Sequence, residues 1–236
     1  MKERPVIFNG EMVRAIIDGR KTQTRRVMAV QPESNQFGLL RISDSTKRSD
    51  IGKYHWAESN ATGPHQRSAL FSCPFGQVGD RMWVRETWGV VSHDFDENER
   101  IIDWVPDRPA TAIHEMPFGN GYYSGHAIYA ADGEFTWGDD DGHGEKSCWK
   151  PSIHMPRTAC RILLEITAVR VERLNDISDG DAIREGCSAA DMKSGDCVAD
   201  VFARLWSSIY GAESWIANPW VWVIEFRRVG GSDASK

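Results

Sequence analysis

Apolar and polar positions follow a recognisable period in separated stretches of the chain, and turn-forming residues stand between them. Arg4-Pro5-Val6-Ile7-Phe8 is a short apolar start. Asn9 then stands where an N-cap accepts an orphan backbone amide, Met12, Ala15 and Ile16 recur at helical spacing, and Gly19 stops the predicted helix. Residues 32 to 72 are polar and weakly periodic, which predicts a long loop that admits a hairpin. A turn over 73 to 80 leads into a predicted strand over 81 to 88, whose alternation sets Met82, Val84, Glu86 and Trp88 on one face. Residues 89 to 149 read as an insertion of short hairpins and loops. Its Trp104, Tyr122, Tyr123, Trp137 and Trp149 suit either a satellite core or a stacking surface.

Beyond a Pro-bounded loop over 148 to 157, a strand is predicted from 160 to 173. Ile162, Leu164 and Ile166 share one face, the apolar parity then moves to Val169 and Val171, and the flip implies a bulge near Thr167. Ser178 and Asp181 have the spacing of a capping box, opening a short helix that Gly186 closes and that carries Glu185 at its end. Val198, Val201, Phe202, Leu205 and Ile209 mark a further helix ended by Gly211. Asn218-Pro219 turns into a last strand over 220 to 228, with Trp220, Trp222, Ile224 and Phe226 expected in the core.

Composition narrows the chemistry. With 236 residues, 41% hydrophobic and 26% charged, the chain has the makeup of an ordinary soluble protein with a sizeable core. Cys73, Cys148, Cys160, Cys187 and Cys197 form no CxxC pair, and Met1 is followed by Lys, Glu and Arg rather than an apolar run, so reduced thiols in a cytoplasm are expected. No run approaches the roughly 18 apolar residues of a membrane span. The net charge of −6 is unevenly distributed: residues 88 to 149 hold 13 Asp/Glu and 3 Lys/Arg, leaving 21 against 25 elsewhere. Local clustering governs phosphate binding, so the overall sign does not exclude RNA or DNA. Asp139-Asp140-Asp141-Gly142 lacks the ligand spacing and closing Glu of a calcium loop and reads as a solvated turn. Cys and His residues lack zinc-site spacing, no phosphate-binding loop or dinucleotide fingerprint is present, and no GxSxG occurs, so neither metal nor cofactor is expected.

The densest chemistry is Gly19-Arg20-Lys21-Thr22-Gln23-Thr24-Arg25-Arg26, four fixed cations and two hydroxyls directly after the first helix. Cations at a helix C-terminus are favoured by the macrodipole, which accounts for Arg20 and Lys21 but not for Thr22 and Thr24. Glu86, in apolar company, and Glu185, at a helix end, are the carboxylates of interest. Lys21, Arg25 and Arg26 suit phosphate, and Arg20 belongs to the same candidate binding set. Thr22, Thr24, Glu86 and Glu185 suit a polar base edge, and Trp83, Trp88, His154 and Arg157 complete a candidate nucleoside or nucleic-acid binding set. The same inventory fits amide hydrolysis, with Lys21 deprotonating Thr24 and a Glu protonating the leaving amine.

Residues 16 to 26 (Ile-Ile-Asp-Gly-Arg-Lys-Thr-Gln-Thr-Arg-Arg), 79 to 86 (Gly-Asp-Arg-Met-Trp-Val-Arg-Glu), 166 to 186 and the closing Trp222-Val223-Ile224-Glu225-Phe226 resemble the ASCH-domain family, a branch of the PUA-like proteins, in particular its longer phage and prophage members. The resemblance implies an α+β fold: a PUA-like small mixed β-barrel with flanking helices, enlarged by loop and hairpin insertions. It implies a single domain over 1 to 236, with a core at 4 to 30, 74 to 88 and 156 to 228, insertions at 32 to 72 and 88 to 149, and a flexible tail at 229 to 236. It further implies binding of RNA or a modified nucleoside in a Lys/Thr-lined cleft. Some small bacterial members that look like this core deacylate N4-acetylcytidine, and the positions matching their Lys, Thr and Glu are Lys21, Thr24 and Glu185. A third expectation is a phage accessory protein whose acidic segment 88 to 149 contacts a phage or host protein.

Overall fold

The computed structural model describes residues 1–58, 66–137 and 147–229. Along the chain lie Glu3–Ile7 (β1), Gly10–Ile17 (α1), Gln23–Val27 (β2), Phe37–Arg41 (β3), Tyr54–Glu58 (β4), Arg81–Arg85 (β5), Trp88–Val91 (β6) and His93–Phe95 (β7). They are followed by Ile101–Asp103 (β8), Thr111–Phe118 (β9), Gly121–Tyr129 (β10), Leu163–Arg173 (β11), Asp179–Arg184 (α2), Val198–Tyr210 (α3), Ala212–Ile216 (α4) and Trp220–Arg228 (β12). The fold is mixed α+β, mostly strands in several sheets with few helices. The largest sheet runs β1-β5-β11-β12-β2. Among the described residues its order is open, so the expected closure into a small barrel is not present in the strand pairing. Among the described residues no helix is long and apolar enough to cross a membrane. The acidic run at 139 to 142 and the tail from 230 lie outside the described residues.

The chain divides into two compact units, each drawn from separated segments. One comprises Met1–Thr22, Asp80–Glu165 and the chain from Phe226; the other comprises Gln23–Gly79 and Ile166–Glu225. In the first unit β1 pairs in parallel with β5, and Leu163, Leu164 and Glu165 of β11 pair antiparallel on its other side. Asn9 caps α1 as expected, its Oδ1 accepting from Met12 N at 2.8 Å, and Gly19 leaves the helix with φ of 74°. The strand expected over 81 to 88 is two strands. Beyond Arg85 the backbone changes partners: Thr87 O accepts from Ala130 N, and Trp88 exchanges both backbone bonds with Lys150, so β6 joins a separate sheet of order β6-β10-β9. The aromatic residues of this segment are core rather than platform. Trp104 packs with Val91 and Ile128 beside Phe135, Trp137 and Trp149, while Tyr123 leans on the cluster of Trp88, Ile113, Met116 and Tyr129. Tyr122 alone of the five is largely exposed.

In the second unit β12 pairs antiparallel with β2, and β3 and β4 form the hairpin that the weakly periodic stretch admitted. Tyr54 and Phe71 pack around Trp222, and Trp56 around Trp220. The other face of β12 covers Val221 and Val223 with Leu174, Ile177, Ala182, Val201, Phe202 and Trp206. This explains why apolar residues run almost without alternation through β12: both faces are covered. Helix α3 buries Trp206 where the helical spacing pointed to Ile209, which is exposed. Strand β11 is continuous through Thr167, and its residues from Ala168 to Arg173 are all half-buried, so the parity change selects no buried face there.

Candidate functional site

Strand β2 buries three consecutive polar residues, Gln23, Thr24 and Arg25. A strand with one solvated face would bury every second one. Register places them opposite Glu225, Ile224 and Val223 of β12. Helix α2, capped by Ser178 Oγ accepting from Asp181 N at 3.1 Å, presents Asp181 and Glu185 one helical turn apart, and β11 supplies Arg170 and Glu172. The Arg25 side chain, 0% exposed, donates through Nη2 to Glu172 at 3.0 Å and Asp181 at 3.2 Å, and through Nη1 to Glu185 at 3.4 Å. Arg170 donates to Asp181 at 3.0 Å, to Gln23 Oε1 at 3.3 Å, and to Glu172 and Glu225. Arg184 adds a bond to Asp181 at 2.8 Å.

Three guanidinium groups therefore face the four carboxylates of Glu172, Asp181, Glu185 and Glu225. Both Nη atoms of Arg25 are taken up by carboxylates, which leaves that guanidinium little to offer a phosphate. Burial pushes the Asp181 carboxyl up, but Arg25 and Arg170 outweigh it and hold its pKa below the usual aspartate value. Two buried donors, Gln23 Nε2 and Arg25 Nε, meet no acceptor among the described residues. Unmet buried donors are costly, and alternation along β2 puts these two on the same strand face.

Lys21 belongs to the first unit, directly ahead of that strand. Its backbone N–H donates to Ala15 O at 2.9 Å, and its buried Nζ lies 5.8 Å from the Phe8 ring centroid. Arg20 is exposed and pairs with Asp18 at 3.0 Å; Thr22 is exposed, with its carbonyl accepting from Phe226 N. Arg26 is half-buried beside the Tyr210 hydroxyl at 3.5 Å.

Several expected roles require correction. Arg25 is expected to meet phosphate, yet its guanidinium is buried and both its Nη atoms are taken by carboxylates. Glu86, 1% exposed, does not present a free edge: Arg161 holds both its oxygens at 2.8 and 2.9 Å and also bonds Asp132 at 2.6 Å. Burial pushes the Glu86 carboxyl up, and Arg161 offsets this only in part. Trp88 is fully buried against Phe118 and offers no face for stacking. Trp83 lies under the Arg85 guanidinium, 4.7 Å from its centroid. His154 and Arg157 are exposed, and Arg157 is paired with Glu3 at 2.9 Å.

The sequence reading missed Gln23, Arg161, Arg170 and Glu172. Arg170 and Glu172 had a usable signal, two charges at the period-2 spacing of one strand face. Arg161 had none, because its partner lies 75 residues away. Among the described residues no group of His, Cys, Asp and Glu is arranged to hold a metal ion. No family model, no curated protein and no solved structure matches the chain.

Proposed function

We propose that this protein binds a nucleobase or nucleoside, free or within RNA, in the manner of an ASCH-type member of the PUA-like proteins, with Thr24 and the polar cluster of Gln23, Arg25 and Glu185 reading the base edge. The carrying observation is the run Gln23-Thr24-Arg25, buried in one strand, with Gln23 Nε2 and Arg25 Nε meeting no acceptor among the described residues. Such a set complements a base that offers both a carbonyl acceptor and an amine donor. Phosphate has the smaller part, since Arg25 is committed to Glu172, Asp181 and Glu185.

Calorimetric titration of the full chain with cytidine, N4-acetylcytidine and uridine tests this reading. Saturable binding of at least one of them is expected, weakened about tenfold by Gln23→Leu or Thr24→Val, the loss from about 1.4 kcal/mol of hydrogen bonding. Absence of saturable binding, or identical binding by both variants, would refute it. The hydrolytic reading, deacylation of an N4-acylated cytidine, requires Lys21 as base, Thr24 as nucleophile and Glu185 as acid. Thr24 and Glu185, the nucleophile and the acid it needs, are both buried side chains of the second unit. Chromatography of N4-acetylcytidine reactions separates the two: cytidine release lost in Lys21→Ala establishes catalysis, and bound but unaltered nucleoside leaves a binding protein.

A further inference from the structure

Strands β7 and β8 form a ribbon whose fastening and exposure are at odds. Its roots are fixed: Val91 precedes β7, Trp104 follows β8, and both are buried with Ile128, Trp104 standing edge-on to His126 and Phe135. Its tip is fixed too. Asp96 Oδ1 accepts from Asn98 N at 2.8 Å and Arg100 N at 2.9 Å, and Glu99 turns the chain with φ of 58°. Between these anchors, among the described residues, the two strands pair with each other alone. Phe95 and Ile101 are directly opposite in register, 47% and 70% exposed, and His93 sits against Phe95 on the same face. Ile102 is exposed on the other face.

A two-stranded ribbon without a covering layer is marginal in water, and a cross-strand Phe–Ile pair normally stabilises a sheet by being covered. The rim identifies what covers it. Residues 93 to 107 hold six Asp/Glu against Arg100 alone. Nucleic acid is repelled by that charge, and a second copy of this ribbon would bring like charges together. We infer that the β7–β8 ribbon is a docking surface for a basic segment of another protein, one that alternates or interleaves Lys/Arg with apolar side chains. The apolar residues of that segment cover Phe95 and Ile101, and its cations meet the acidic rim.

The test uses the full chain and two fluorescent decapeptides, one alternating Val and Lys, the other Val and Glu. The Lys peptide is expected to bind saturably at one site, less tightly as salt rises, and about tenfold more weakly to Phe95→Ser/Ile101→Ser. The Glu peptide is expected not to bind. Asp94→Asn/Asp103→Asn, which leaves the apolar pair in place, is expected to weaken the Lys peptide as well, so the result does not rest on one variant's folding. Equal binding of both peptides, or Lys-peptide binding indifferent to the Phe95/Ile101 variant, overturns the inference. So does self-association or RNA binding that the same variant abolishes, because the occupant is then a second copy or a nucleic acid.

Discussion

Arg161 shows what one side chain can decide. It holds both oxygens of Glu86, bonds Asp132, and lies over the Tyr129 ring at 3.9 Å. Glu86 and Asp132 together keep its guanidinium charged against the cost of burial. Removing one partner of a buried pair leaves an uncompensated charge, so Arg161→Met is expected to cost about 3–5 kcal/mol in denaturant unfolding at neutral pH. The deficit should depend on pH with a definite sign. Without Arg161 the Glu86 carboxyl rises further above its ordinary value of 4.5, so the penalty is absent below that pH and grows as pH rises through the raised pKa. A deficit constant from pH 4.5 to neutrality would show that lost packing, not charge, is responsible. At this scale the sequence marked Glu86 correctly as a carboxyl in apolar surroundings, since alternation alone placed it beside Met82 and Val84. It could not supply the partner, because ion pairing is set by three-dimensional proximity and leaves no periodic trace.

Elements were legible wherever a cap and a period agreed. Asn9 with Gly19 bounded α1, Ser178 with Gly186 bounded α2, and Asn218-Pro219 introduced β12. Helix α2 matters beyond its length, for it carries Asp181 and Glu185 to Arg25. With only six residues it has little intrinsic stability, so its N-cap bears heavily on its position. Ser178→Ala is expected to lower stability by about 1 kcal/mol and to weaken nucleoside binding alongside. If unfolding shifts while affinity stays unchanged, α2 does not position Asp181 and Glu185 for the proposed ligand. The helix α4 went unpredicted because five residues are too few to display a period. The break between β5 and β6 was hidden for a different reason: alternation runs through Glu86 to Trp88, while the hydrogen-bonding partners change.

The whole molecule is built so that β11 and β12 each pass from one compact unit to the other. Neither unit can lose its share of these strands without disturbing a strand of its neighbour, and a single cooperative transition is expected in scanning calorimetry. Two separate transitions would mean that the units melt independently. Sequence by itself determined the α+β character, the placement of α1, α2, α3 and β12, the segregation of acidity into residues 88 to 149, and the concentration of chemistry at residues 20 to 26. These follow from periodicity, capping and local charge, which are properties of neighbours along the chain. Tertiary structure alone decided that Arg25 is locked among carboxylates, that Trp88 is core, that among the described residues the largest sheet is open, and that a fastened ribbon exposes Phe95 and Ile101. Those outcomes depend on which distant segments meet, and burial and pairing across long separations have no signature in local order.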